Sequence, residues 1–210
     1  MRRSATSAVF AGVMLAVVNV ASPQSTSPLP TLTVCLSMSH SVAAAARREG
    51  AVLEEVEAIW RPMGVAVRLG RRSDSTCDRL IAVRSDLEAT PEDASVEAAL
   101  GWVPFVEGNA RQIVYLRPSR ACTMIYALNP GRRPGAMTDL LVARLLGRSL
   151  AHELGHLLLN SKNHGTTGLM RARYQAQDVL RDPPAAYTLD PEQRARLFAN
   201  LANDPRLARR

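Results

Sequence analysis

Short patterns of alternating apolar and polar residues recur along the first two thirds of the chain. The first of them, residues 31–38, is rich in β-forming side chains and is typical of a strand. Further strands are predicted at residues 65–69, 80–84, 100–106 and 112–116. The last two flank a Gly-Asn step, so they are expected to form a hairpin.

Apolar residues at helical spacing mark two longer segments. Residues 41–60 place Val52, Val56 and Ile59 on one face, which predicts an amphipathic helix. Residues 138–159 carry leucines over most of the helical circumference. A helix that is apolar nearly all round is a buried, central one.

The C-terminal part of the chain predicts a further helix. Asp190, Pro191 and Gln193 are suited to the cap, the first position and the third position of a helix that runs to about residue 202. Residues 119–128 fit either a helix or a strand. The order of elements predicts one domain, residues 31–210, of the α/β (α+β) class, in which a small mixed sheet packs on the central helix.

The N-terminus has the layout of a secretory signal peptide. Two arginines follow Met1, an apolar run of eleven residues spans 8–18, and small and polar residues follow. We therefore expect residues 1–22 to be a cleaved signal peptide and residues 23–30 to be a Ser/Pro-rich linker, with the protein secreted or periplasmic. Because a bilayer crossing needs about 20 residues, no stable membrane insertion is expected after cleavage.

Charge and cysteine content narrow the classes of partner. The chain carries a net charge of +7, but its arginines are scattered in pairs without interleaved aromatic residues, so no nucleic-acid partner is expected. In an oxidising compartment two of Cys35, Cys77 and Cys122 could pair. Cys35 and Cys77 each flank a predicted strand and are the favoured pair. None of the three has the close spacing of a cysteine metal site.

One short motif in the central helix indicates metal chemistry. His152 and His156 are four residues apart, so both imidazoles lie on one helical face and can bind one ion. Glu153 lies about a quarter-turn away, where it can take a proton from a zinc-activated water that attacks a carbonyl. This arrangement is typical of zinc hydrolases. Burying these three side chains in an apolar helix would be costly without such a role.

A catalytic zinc needs a third protein ligand and keeps its fourth position open. His164 is the favoured candidate, because residues 160–163 can turn the chain back toward the helix, and asparagine suits a left-handed turn. Asp178, on a later helix, is the alternative. Two non-catalytic interpretations are satisfied polar residues of the core and a structural zinc site, although structural sites usually include cysteines and none lies nearby.

The segment HELGHLLLNSKNHGTTGLM, residues 152–170, resembles the active-site segment of the metzincin-type zinc peptidases. In that clan the HExxH motif is followed by a glycine turn, a third histidine and a methionine-containing turn beneath the metal. The HExxH residues match, and His164 and Met170 match approximately. Leu159 stands at the glycine position, and His164 follows His156 by eight residues instead of six.

The resemblance implies a zincin-like fold with one zinc ion per chain. His152, His156 and His164 would hold the ion, and Glu153 would be the general base. The protein is then expected to be a secreted zinc-dependent metalloendopeptidase that acts on peptide or protein substrates. We expect it to be a monomer.

Other segments would contact the substrate under this hypothesis. The strand at 100–106 could align an extended peptide by strand addition. A tyrosine stabilises the oxyanion in some metzincins, and Tyr174 and Tyr187 are the candidates here, although neither matches by spacing.

Two alternative functions fit the same motif. One is a secreted zinc-binding module without activity, against which the intact Glu153 argues. The other is a zinc amidase that acts on cell-wall peptides, because an amidase would use the same kind of metal centre. The sequence does not separate peptidase from amidase chemistry.

Overall fold

The computed structural model describes residues 32–71, 73–88, 99–128 and 135–204. The strands in these ranges are β1 (Leu32–Met38), β2 (Val65–Leu69), β3 (Arg79–Ser85), β4 (Gly101–Trp102), β5 (Phe105–Val106), β6 (Asn109–Ala110) and β7 (Ile113–Leu116). The helices are α1 (His40–Ala46), α2 (Glu49–Trp60), α3 (Pro118–Leu128), α4 (Ala136–Leu159), α5 (Ala176–Arg181) and α6 (Pro191–Ala202). The predicted signal peptide and linker, residues 1–30, lie outside the described residues, as do parts of the segments that precede β4 and α4.

The larger sheet has five strands in the order β2-β1-β3-β7-β4. β1 lies between β2 and β3 and pairs with both in parallel, and β7 pairs in parallel with β3. β4 is short, lies at the edge and runs antiparallel to β7. A mixed sheet with helices packed on it is an α/β (α+β) fold, which confirms the predicted class.

The central position of β1 follows from its side chains. Val34, Cys35 and Leu36 are consecutive and all buried, so both faces of this strand are covered, as in parallel sheets generally. Cys35 forms a disulfide with Cys77, which joins β1 to the loop before β3. The favoured cysteine pair is therefore present, and Cys122 on α3 is a free thiol.

The helix predicted at 41–60 is divided in the structure. At Arg47 φ is 48°, in the left-handed region, and this turn separates α1 from α2. The segment 119–128, which fitted a helix or a strand, lies in helix α3. Its buried residues Ala121 and Ile125 are four apart, which is the spacing of one helical face.

The predicted hairpin between 100–106 and 112–116 is also divided. β4 pairs with β7 through two residues only. β5 and β6 form a separate two-stranded hairpin between them, with Phe105 opposite Ala110. At its tip Glu107 and Gly108 both have positive φ, 51° and 79°, which is the backbone that a tight two-residue turn requires.

Helix α4 is the centre of the packing, as its apolar circumference predicts. It contacts α2, α3, α5, α6, β4 and β7, and every residue from Leu150 to Leu159 is buried. At Gly147 the helix approaches α2 so closely that a Cβ would lie 2.7 Å from the Cβ of Glu55. The indole Nε1 of Trp60 donates a hydrogen bond to the carbonyl O of Ala151 at 3.1 Å. α2 therefore holds α4 directly before His152.

The C-terminal helix α6 begins as the sequence predicts. Asp190 Oδ1 accepts a hydrogen bond from the backbone N of Gln193 at 2.8 Å, Gln193 Oε1 accepts one from the backbone N of Asp190, and Pro191 occupies the first turn. Leu197 and Leu201 are buried where α6 packs on α4. No helix in the described ranges combines the length and apolar character that a membrane crossing requires.

Candidate metal centre

The second half of α4 and the loop that follows it bring three histidines together. After the helix, Asn160 has φ 45° and ψ 53°, the left-handed conformation that asparagine tolerates. The turn expected after the helix therefore begins at this residue. The ligand atoms of His152, His156 and His164 all lie within 4.8 Å of one another.

Backbone hydrogen bonds fix the tautomer of both helical histidines. His152 Nδ1 lies 2.7 Å from the carbonyl O of Leu169, and His156 Nδ1 lies 2.7 Å from the carbonyl O of Ser161. A carbonyl oxygen only accepts hydrogen bonds, so each Nδ1 must carry the proton. In a neutral imidazole the Nε2 atom is then unprotonated.

The two Nε2 atoms of His152 and His156 lie 3.1 Å apart. Because neither carries a proton, two lone pairs approach each other, an arrangement that a cation between them would stabilise. Tetrahedral zinc with bonds of about 2.0–2.1 Å to nitrogen separates two ligand nitrogens by about 3.3 Å. The spacing and the donor type therefore fit one metal ion, and imidazole nitrogen suits zinc as well as copper, iron and nickel.

His164 completes the group from the solvent side. Its ring centroid lies 4.7 Å from that of His156 and 5.2 Å from that of His152. His164 is exposed, whereas the two helical histidines are only 7–8% exposed. The chain therefore has a group of three histidines that can hold a metal ion, and the group is accessible from solvent on the side of the loop.

Burial keeps the helical imidazoles neutral. It lowers the pKa of His152 to about 3, with a contribution from neighbouring His156, and it lowers the pKa of His156 to about 4. Burial also lowers the pKa of His164. Neutral imidazole is the form that binds metal ions, so at neutral pH no proton has to be displaced from the ligand atoms.

Glu153 is buried next to His152, and its carboxyl group has no partner. The residue is 6% exposed, and within the described part of the chain no donor or cation pairs with it. Burial raises the pKa of Glu153 to about 8. A buried carboxyl group without a partner is costly for the fold, and such groups are found mainly at functional sites.

Met170 packs against α4 beside the histidines. A Cβ on Gly155 would lie 2.2 Å from the Sδ atom of Met170, so only glycine permits this close contact. Met170 is fully buried, and the residue before it, Leu169, provides the carbonyl that orients His152. The turn at Leu169 and Met170 therefore both packs on the helix and holds one of the imidazoles.

The two candidate tyrosines use their hydroxyl groups differently: Tyr174 bonds to this turn, and Tyr187 bonds to Arg148 on α4. The Tyr174 hydroxyl donates to backbone carbonyls, including that of Leu169, and its ring centroid lies 5.8 Å from that of His152. The Tyr187 hydroxyl accepts a hydrogen bond from Arg148 Nη1 at 2.7 Å. A role for either hydroxyl at an oxyanion stays a prediction.

Asp178, the alternative third ligand, is engaged elsewhere. Its Oδ2 atom accepts hydrogen bonds from Arg171 Nη2 at 2.6 Å and from the backbone N of Gln175 at 3.1 Å, and it belongs to the capping box of α5. In the described part of the chain it is not grouped with the helical histidines. The structure therefore brings His164, and not Asp178, to the pair.

Arg148 is a supporting residue that the sequence analysis did not single out. It lies one turn before His152, and it is buried. Its guanidinium donates to Glu55 Oε1 at 2.6 Å, to the Tyr187 hydroxyl at 2.7 Å and to the carbonyl O of Asp182 at 2.6 Å. Arg148 thus connects α2 and the segment after α5 to α4, the helix that carries His152 and His156. The available signal was an arginine inside an apolar helix, since arginine is almost never buried unless paired.

A second group of ligand-type residues lies on β1 and in the loop before β3. In the described ranges, Cys35, Asp74 and Cys77 also have ligand atoms within 4.8 Å of one another. The two sulfur atoms form the disulfide, so neither is a thiolate that can bind a metal. His40, which lies exposed at the start of α1, belongs to neither group.

Comparison with known proteins does not assign this chain to a family. No protein-family model matches the chain, and none of the curated proteins matches it. A functional assignment therefore depends on the geometry of the three histidines and Glu153.

Proposed function

We propose that this chain is a secreted zinc-dependent metallopeptidase, with His152, His156 and His164 as metal ligands and Glu153 as general base. The observation that supports it is the pair of unprotonated Nε2 atoms 3.1 Å apart, next in sequence to a buried carboxyl group without a partner. Buried polar atoms that serve only the fold are paired with other groups. Here the unpaired atoms lie on neighbouring residues of one helix.

Each residue has a defined task in this proposal. The three imidazoles would hold the ion, and as in catalytic zinc sites a position would stay open for water or substrate. Bound zinc supplies Lewis acidity, which lowers the pKa of water and polarises a carbonyl group. The positive charge of the bound ion would favour the ionised form of Glu153, whose pKa burial otherwise raises to about 8. The Glu153 carboxylate would then take the proton of the attacking water and deliver it to the leaving nitrogen.

The surrounding backbone supports the same chemistry. The carbonyls of Leu169 and Ser161 accept the Nδ1 protons of His152 and His156, which holds both imidazoles in the tautomer that metal ligation needs. β4 is an edge strand of the described sheet and contacts α4. An extended peptide could therefore align by strand addition beside the metal helix.

Export belongs to the same proposal. The N-terminal segment has the layout of a signal peptide. The disulfide between Cys35 and Cys77 is compatible with it, because disulfides persist in oxidising compartments such as the periplasm and the extracellular space.

The deciding experiment compares purified wild type with Glu153→Gln and Glu54→Gln. The amide at position 153 is close in size but cannot take the proton of the water, so casein hydrolysis should fall by about 10²–10⁴-fold while the zinc content stays near one per chain. Glu54 is exposed on α2, so its variant should match wild type in both measurements.

The other outcomes separate the alternatives. Hydrolysis of cell-wall peptides without casein cleavage would identify an amidase that uses the same residues. Zinc uptake without either activity would indicate a binding module. A wild-type protein that binds no zinc, or a Glu153→Gln variant with most of its activity, would refute the proposal.

A further inference from the structure

A polar cavity that is open to solvent lies between the end of α4, the hairpin strand β6 and the end of α6. Its volume is about 400 Å³, within the range of small-molecule sites. Five side-chain carboxamides line it, and we call it the carboxamide cavity: Asn109, Gln112, Asn160, Asn200 and Asn203. They come from three separate segments of the chain, so the tertiary structure has gathered one functional group in one place.

The gathering is selective. The described residues include five asparagines, and all but Asn163 line this cavity. Asn163 belongs to the loop between the metal ligands, so it has a different environment.

Charge in the cavity is balanced. The only charged side chains in its lining are Arg79 and Asp204, and the Nε and Nη2 atoms of Arg79 donate to Asp204 Oδ2 at 3.1 and 2.8 Å. Both partners are largely buried. A phosphate, a carboxylate or a cation would therefore meet no uncompensated charge, and the cavity favours a neutral ligand.

Two of the carboxamides bond to the backbone around the cavity, and two others have no protein partner among the described residues. Asn160 accepts from the backbone N of Ala110 at 2.8 Å, and Asn200 donates to the carbonyl O of Leu158 at 2.9 Å. Gln112 and Asn203 are exposed, and within the described residues their side-chain amides make no hydrogen bond. A carboxamide both donates and accepts, which is the bonding character of a sugar hydroxyl group.

We propose that the carboxamide cavity binds a neutral carbohydrate unit. The donor and acceptor pairs of the amides suit a ring of hydroxyl groups, because each hydroxyl group can both accept from an amide N–H and donate to an amide oxygen. A peptide strand fits less well, because the backbone N–H of Ala110, which it would need, is already bonded to Asn160.

This binding site does not depend on the proposed hydrolysis. Leu158 follows His156 by two residues, about 200° around α4, so it faces away from the metal ligands. Sugar binding can therefore be tested on metal-free protein and on the Glu153→Gln variant. Failure of one proposal leaves the other standing.

The test is a titration of ¹⁵N-labelled protein with cellobiose, maltose and N,N′-diacetylchitobiose, with trialanine as the peptide probe. At least one disaccharide should cause saturable shifts of the side-chain NH₂ signals of Gln112 and Asn203, with a Kd of about 1 mM or below. The double variant Gln112→Ala/Asn203→Ala should weaken that binding about tenfold or more, because two hydrogen-bonding groups are lost. Neither side chain supports the fold, and each single variant should show a smaller weakening.

Asn163→Ala is the matched control, since it removes a carboxamide outside the cavity, and its affinity should stay within about twofold of wild type. Three results would overturn the proposal. They are no saturable shift with any disaccharide up to about 20 mM, binding that the double variant leaves unchanged, and binding of trialanine in place of the sugars.

Discussion

Helix α4 carries two groups of buried polar side chains one turn apart, and their hydrogen bonding differs. In the first group Arg148 donates to Glu55, to the Tyr187 hydroxyl and to the carbonyl O of Asp182. Glu55 is 7% exposed and has its charge paired at 2.6 Å. This group is closed, because its charged atoms are matched by protein atoms.

The second group is open. His152 and His156 use only Nδ1 in bonds to the backbone, and their Nε2 atoms meet each other without a proton. Glu153 is as buried as Glu55 but has no partner in the described part of the chain. Glu55 lies on α2 and Glu153 on α4, but the two carboxyl groups are of one chemical type and are equally buried, so the difference between them is the pairing.

The difference separates stability from chemistry. A closed buried group is costly to break, because removing one partner strands the other charge. An open group lowers the free energy of unfolding, because its buried polar atoms lack partners. We therefore expect such a group in a well-packed helix to serve a ligand or a reaction. Four measurements test this contrast between closed and open groups.

Arg148→Ala should give the largest loss of stability. It leaves the Glu55 carboxylate buried without its partner, so the free energy of unfolding should fall by about 3–5 kcal/mol. Urea unfolding measures this. Arg61→Ala, which breaks the exposed pair with Glu57, is the control and should cost no more than about 0.5 kcal/mol. Equal losses in the two variants would remove the distinction between closed and exposed pairs.

His156→Ala should remove metal binding while sparing the fold. Loss of groups that only support a metal ligand costs about 10–100-fold in affinity, so loss of the ligand itself should exceed about 100-fold. Competition with a chromophoric chelator gives the zinc affinity. His40→Ala provides the matched histidine control and should behave as wild type. Retained affinity in His156→Ala would show that the open group is not a metal site.

His164→Ala and Asp178→Ala discriminate between the two candidate third ligands. The first should weaken zinc binding by at least about tenfold, because two imidazoles and water remain. The second should leave affinity unchanged, since Asp178 pairs with Arg171 and caps α5. The same chelator competition applies. The reverse result would place an acidic ligand on α5 and would contradict the metzincin-like hypothesis.

Glu153→Gln should have the smallest effect on stability, although the proposed mechanism predicts a large loss of hydrolysis for the same variant. Replacing an unpaired buried carboxyl group with a neutral amide removes no ion pair, so metal-free protein should keep its free energy of unfolding within about 1 kcal/mol or gain some. Urea unfolding after chelation measures this. A loss comparable to that of Arg148→Ala would mean that Glu153 has a partner and belongs to a closed group.

Local signals predicted much of the fold. The leucines of 138–159 marked a buried helix, and Asp190, Pro191 and Gln193 marked the start of α6, because both depend on residues within one or two turns. The division of 41–60 at Arg47 had no such signal, since arginine disfavours the left-handed backbone and only packing imposes it there.

In the candidate metal centre, too, local spacing predicted some features and long-range packing set the others. Spacing alone placed His152 and His156 on one face of a helix, since four residues make about one turn. The short loop made His164 the better candidate over Asp178, and the structure brings it to the pair. The tautomers could not be predicted, because they depend on the carbonyls of Leu169 and Ser161, whose positions follow from the turns beyond the helix.

Spacing within single elements predicted the central helix and the HExxH pair on it, and the order of elements predicted the α/β class. Cys35 and Cys77 were the favoured pair, but their disulfide joins residues 42 positions apart, so it depends on long-range packing. The pairing of buried charges depends on long-range packing in the same way. Arg148 bonds to Glu55, 93 positions away in the chain, whereas Glu153 has no partner among the described residues, because long-range packing sets which side chain faces another and which faces an open site.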